Sequence, residues 1–152
     1  MSLRDTFMND LKEAMKAGDK RRISTIRLIQ AALKDRDIEA RGLGKEKISE
    51  DDILGLLQKM TKQRQDSAKI YAEGNRPDLV QQEEEEIAII AGFLPKQMSE
   101  AETAAAIGTV VADIGAAGLK DMGKVMAELK TRFAGQMDFA KASPLVKAAL
   151  GG

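Results

Sequence analysis

Residues Gly118 to Met126, GLKDMGKVM, read G-x-x-x-x-G-K-V, one position short of a phosphate-cradling P-loop. That chemistry needs a preceding strand, a loop of backbone N–H groups, a lysine, and a serine or threonine hydroxyl for the metal ion. Here Val125 stands at the hydroxyl position, and Asp121 lies inside the loop, where its charge opposes phosphate. The segment before it, AETAAAIGTVVADIG, is alanine-rich with a helical start. A helix fits better than a nucleotide loop. At about 100° per residue, Met122, Val125, Met126, Leu129 and Phe133 share one arc, expected in the core. Gly123 and Ala127 lie beside that arc with Lys130 adjacent, and Lys124 and Thr131 stand further round. Glycine inside a helix costs roughly 1 kcal/mol against alanine. Either Gly123 admits a neighbouring helix or falls in a first turn, where the cost is smaller, or it serves a surface. In the second case Gly123 and Ala127 form a smooth strip, flanked by Lys124 and Lys130, that an RNA backbone can approach.

Lys20, Arg27, Lys34 and Arg41 recur every seven residues, roughly 10 Å apart along a helix. Such a line can follow a sugar–phosphate backbone. It is also what a solvated face looks like, and Asp37 sits close to it. Arg64 falls at the same helical angle as Ile53, Leu57, Met60 and Tyr71, and Glu83 and Glu86 fall with Leu79 and Ile90. A charge on a buried face needs a partner. Arg64 is therefore expected to pair with Glu83 or Glu86 in a structural ion pair between two helices. The acidic run Glu83 to Glu86 does not suggest a metal site, since carboxylate sites in helical bundles usually include Glu-x-x-His and this chain has no histidine. Serine and threonine nucleophiles lack a histidine base, and no pocket signature supports a Ser–Lys pair. No catalytic residue, cofactor or metal is expected.

Formal net charge is zero, from 24 basic and 24 acidic residues, so bulk charge does not draw this chain to nucleic acid and any contact must be local. There is no cysteine, which removes disulfides and thiolate chemistry and suits a reducing compartment. MSLRDTFMNDLKEAMK lacks the apolar stretch of a secretory signal, and no run approaches membrane-spanning length. A soluble, cytoplasmic protein is expected.

The elements that position these residues are helical. Ser2 with Asp5 predicts an N-cap, followed by the stripe Leu3, Phe7, Leu11 and Met15, with Gly18 closing the helix. Asp19 predicts the start of a second helix to about Arg41, with Ile23, Ile26, Ile29 and Leu33 on one face and residues 42–48 as a loop. Ser49 with Glu50, Asp51 and Asp52 starts a third, which stops at Gly74-Asn75. Arg76-Pro77-Asp78 predicts a turn and cap, and a fourth helix to Phe93-Leu94 ended by Pro95. Ser99 with Glu102 caps a fifth, with Ile107, Val111 and Ile114 inward, broken by Gly115 and Gly118. A sixth runs from about Lys120 to Ala134, ended by Gly135, and Ser143-Pro144 starts a short last one. The expected fold class is all-α: an antiparallel helical domain of about four helices over 1–94, then a small three-helix tail domain over 95–152. The tail has only about 60 residues, so its core is marginal and it should lean on the first domain or on a partner.

The segments STIRLIQAALKD (Ser24 to Asp35), KMTKQRQDS (Lys59 to Ser67), YAEGNRPDL (Tyr71 to Leu79), EEEIAIIAGFLP (Glu84 to Pro95) and DMGKVMAELK (Asp121 to Lys130) resemble the YqeY family. Its free-standing members are similar to the C-terminal part of the B subunit of the aspartyl/glutamyl-tRNA amidotransferase, the GatB/YqeY domain. The resemblance covers nearly the whole chain and is most specific at DMGKVM, with Gly135 and the closing Val146-Lys147…Leu150. It implies a helical domain with a three-helix tail that helps recruit tRNA. The carbon–nitrogen ligase chemistry, with glutamine as amido donor, lies in other domains. By position, the implied tail surface is Gly123, Lys124, Ala127 and Lys130. Phe93 stands where the family usually has tyrosine, and Met137 where a small residue is usual. The resulting expectation is an accessory module for tRNA or another structured RNA, not catalytic alone. The alternative is a protein adaptor docking on a tRNA synthetase or amidotransferase subunit.

Overall fold

Helices in this chain begin where a side chain satisfies the free amides of a first turn. In the computed structural model, which describes residues 1–151, Ser2, Ser49 and Ser99 each form a full capping box, with Asp5, Asp52 and Glu102 respectively. They start α1 (Leu3–Ala17), α3 (Glu50–Glu73) and α5 (Glu100–Ile114). Asp19 accepts from the Arg22 amide and starts α2 (Lys20–Gly42). Gly18 and Gly115 close α1 and α5 with φ of 69° and 64°, a conformation glycine adopts without cost. Among the described residues there are seven α-helices, one 3-10 turn at Leu119–Asp121, and no strand. The all-α class is thus observed directly.

Several boundaries differ from those expected. No side chain caps α4 (Pro77–Ala91). Pro77 opens it, where a missing N–H costs nothing, and Asp78 in the first turn pairs back to Arg76 at 3.1 Å. The helix ends on Gly92, before Pro95 is reached. The 3-10 turn takes up Lys120, so α6 is Met122–Arg132. The last helix, α7 (Phe139–Ala149), starts well before Ser143 because the Asp138 carboxylate accepts the amides of Ala140 and Lys141. Pro144 lies inside it.

The chain forms two compact units, Met1–Leu94 and Pro95–Gly152. In the first, α3 packs along α4, α1 on α2, and α2 on α4. Its core holds Phe7, Ile26, Ile29, Ile53, Leu57 and Ile90. Phe93 is also buried there, edge-on to Phe7 with ring centroids 5.0 Å apart, and the Arg22 guanidinium lies 5.8 Å from its ring centroid. Met15 is 52% exposed, so the α1 stripe stops short of its last turn. In the second unit α5, α6 and α7 pack pairwise around Ile107, Val110, Val125, Leu129 and Val146. Met137 is fully buried in that core. On α5, Val110 is buried beside Ala106 and Thr103 and Val111 packs against the same core as expected, whereas Ile114 is 37% exposed. The Thr103 hydroxyl can be buried because it donates to the Ser99 carbonyl at 2.9 Å.

Candidate functional site

The 3-10 turn removes the P-loop reading. The Ala117 amide donates to the Asp121 carboxylate at 2.9 Å. That bond, together with the Gly118 amide and the charges of Lys124 and Lys120, holds the Asp121 carboxyl below its ordinary range against the cost of desolvation. The Asp121 carboxylate thus lies against the Ala117 and Gly118 amides at the start of the segment, where its charge opposes a phosphate.

Beyond it, Gly123 is the second residue of α6 and is exposed. A Cβ placed there meets nothing within 4 Å, so no neighbouring helix makes close approach. Of the structural explanations for Gly123, only the first-turn position remains. Lys124, Ala127 and Lys130 are exposed as well. Neither lysine is in an ion pair among the described residues. By contrast Arg132, the last residue of the same helix, is committed. It bridges Asp113 at 2.7 Å and Glu128 at 2.8 Å, and those two bonds raise its pKa. Sequence spacing had no means of separating the free cations from the bound one, since Asp113 lies on another helix.

On α2, Lys20, Arg27, Lys34 and Arg41 are all exposed. Lys20, Arg27 and Lys34 form no ion pair among the described residues, while the Arg41 Nε donates to the Glu46 carbonyl at 3.4 Å. Asp37, near this line in sequence, feels the Arg41 charge but is engaged chiefly by other partners. It accepts two bonds from the Arg4 guanidinium, at 2.7 and 2.9 Å, and one from the Ile48 amide at 3.0 Å. The Arg4 hydrogen bonds, opposed by burial and helped by the Ile48 amide, lower its pKa to about 2. Leu28 and Ile38, 45% and 52% exposed, share α2's outer face with the basic residues.

Arg64 lies 3.4 Å from Glu86 through its Nε, with the two side chains 14% and 8% exposed. Its Nη1 donates to the Met60 carbonyl at 3.1 Å. Glu83 is the outer member of the cluster. Burial, then the Glu86 charge, push its carboxyl above the ordinary range, and Arg64 opposes the shift.

Among the described residues no single helix is long and apolar enough to cross a membrane, and no group of three His, Cys, Asp or Glu is arranged to hold a metal ion. The class defined by this geometry is an all-helical protein whose distinctive surfaces are exposed helix faces carrying unpaired cations. A family model described as Yqey-like protein matches residues 4–150, and the chain belongs to the YqeY family. It is 36% identical over 107 residues to "Altered inheritance of mitochondria protein 41, mitochondrial" of Lachancea thermotolerans, covering 69% of this chain and 56% of that protein. The like-named protein of Vanderwaltozyma polyspora is 36% identical over 85 residues, 56% of this chain and 44% of its own. That of Meyerozyma guilliermondii is 37% identical over 90 residues, 59% of this chain and 45% of its own. The chain spans about half the length of the curated relatives it matches. Their names are mitochondrial, which corrects the expectation of a cytoplasmic protein. A lack of cysteine and of an apolar secretory stretch bears on oxidising compartments and secretion. Neither feature separates one reducing compartment from another.

Proposed function

We propose that this chain is an accessory RNA-binding module for tRNA or another structured RNA, acting beside an enzyme rather than as one. The observation that carries the reading is the α6 strip, where bare Gly123 and Ala127 lie between the unpaired Lys124 and Lys130. Such a strip lets a phosphate backbone approach the helix closely while two ammonium groups neutralise it. The α2 row of Lys20, Arg27, Lys34 and Arg41 is a second basic surface of the same kind. With aromatics at 3%, stacking contributes little, so contacts are to backbone and shape. The two units act as two domains, 1–94 and 95–152, each offering one surface. The family resemblance supports a place beside tRNA amidation, with the carbon–nitrogen ligase chemistry supplied by other domains.

A second reading rests on Leu28 and Ile38, whose exposure on α2 suits docking on a synthetase or amidotransferase subunit. Binding to bulk tRNA at two salt concentrations, for wild type and Lys124→Ala with Lys130→Ala, separates the readings. RNA contact predicts micromolar or tighter affinity that falls with salt, and a double variant that binds more weakly with a salt slope reduced by about two. A folded protein that shows no binding at low salt, and keeps a protein partner in RNase-treated lysate, assigns the chain to the adaptor class.

A further inference from the structure

Between α2 and α4 lies an open groove of about 760 Å³. We infer that it is a subsite for an unpaired guanine nucleotide, an inference that rests on the RNA-binding reading. At its floor is Glu86, only 6% exposed yet lining the groove. Its carboxylate accepts no hydrogen bond among the described residues. Arg64 lies 3.4 Å away through its buried Nε without forming a hydrogen bond, and the Glu83 carboxyl is near enough to feel the Glu86 charge. A carboxylate offers about four acceptor positions, and those of Glu86 open onto the groove rather than being sealed in the core. Beside its ion-pair partner Arg64, the Glu86 carboxylate therefore keeps acceptor positions open to the groove.

The rim carries the opposite charge. Lys20 and Arg27 line the groove and are unpaired among the described residues, whereas Arg21 is held by Glu85 at 3.2 Å. Ile23 and Leu28 supply apolar wall, and the Gln82 amide faces the same space. The ligand must then combine N–H donors at one end, a flat apolar body, and anionic groups at the other. An unpaired nucleotide has that order: base edge, base faces, phosphates. Guanine fits the floor best, because its N1–H and N2–H donate side by side to the two oxygens of one carboxylate. Adenine and cytosine present a single amino group, and uracil sets carbonyls against the charge. An acidic peptide satisfies Lys20 and Arg27, but its carboxylates are repelled by Glu86.

The test is amide NMR of the full chain titrated separately with 5′-GMP, 5′-AMP, inorganic phosphate and bulk tRNA. GMP should shift Ile23, Leu28 and Glu86 and bind about fivefold or more tighter than AMP. Arg27→Ala should weaken both nucleotides. Glu86→Gln should bring GMP and AMP level. If that variant fails to fold, Leu28→Glu, at a half-exposed position, should block the groove with the fold intact. Equal shifts from phosphate alone mean an adventitious ion only, and overturn the inference. Shifts from a polyglutamate peptide with none from GMP assign the groove to a protein partner and overturn it too. An unshifted groove in a protein that still binds tRNA overturns the subsite and leaves the RNA-binding reading standing. If neither GMP nor tRNA binds, both fall.

Discussion

Asp37 illustrates how a residue's role is set by what folds against it. In sequence it neighbours the α2 cations; in the structure it anchors Arg4 of α1 and the Ile48 amide. Its pKa is lowered from 3.8 to about 2, so the native state holds the carboxylate more tightly than the unfolded chain does. The stabilisation is fully present above the unfolded pKa, near pH 4, and is lost as pH falls toward 2. It is worth on the order of 2 kcal/mol. Denaturant midpoints across that window should fall for wild type and stay flatter for Asp37→Asn, which starts lower at pH 7. The Arg64–Glu86 pair predicts a different pattern. Arg64→Ala leaves a buried carboxylate uncompensated and should cost about 3 kcal/mol, whereas Arg64→Met with Glu86→Leu should recover most of it. If the double replacement is no better than the single one, the pair is not what couples these helices.

Among the elements, α6 and α7 carry the clearest consequences. Gly123 sits in the first turn of α6 with open space around it. Gly123→Ala should therefore leave stability unchanged or raise it by up to about 1 kcal/mol. If an RNA backbone lies on that strip, the same methyl group should weaken tRNA binding. Thermal unfolding and tRNA affinity measured on one variant would move in opposite directions, a result that a packing glycine does not produce. α7 depends on Asp138, which accepts two amides of its first turn. Asp138→Ala should cost about 1 kcal/mol by loss of the cap. Pro144, inside that helix, cannot donate to the carbonyl four residues before it, so α7 relies on its cap and its buried face, Ala142 and Val146, more than on a full backbone ladder.

For the molecule as a whole, zero net charge and two separate cores bound what it can do. If the chain binds RNA as proposed, the attraction must come from local surfaces, so affinity should depend on salt through a handful of contacts rather than many. Each unit buries its own apolar residues, and the proposal of two domains follows from that. Residues 1–94 expressed alone should unfold cooperatively. Residues 95–152 alone should be much less stable, because a core of that size removes a smaller share of its surface from water. Two resolved thermal transitions in the full chain would support separate domains, and a single transition lost on cutting at Pro95 would oppose them.

Helix class and most helix starts were legible in the residues themselves, because they depend on local physics: a serine oxygen reaching an amide three positions on, a glycine taking a left-handed turn, an apolar arc repeating every three to four residues. The Ser2, Ser49 and Ser99 caps and the Val125–Leu129 core face belong to this kind. Pro144 misled, since proline favours a first turn locally but tolerates an interior position when Asp138 has already started the helix. The free and bound cations were not legible. Lys124 and Arg132 share one helix, and only the approach of Asp113 from α5 commits the second. Asp37, Glu86 and the groove above it likewise depend on chain segments distant in sequence. Hydrogen bonds and charge pairs of that range are set by packing, so the tertiary structure alone decided which charges remain available to a partner.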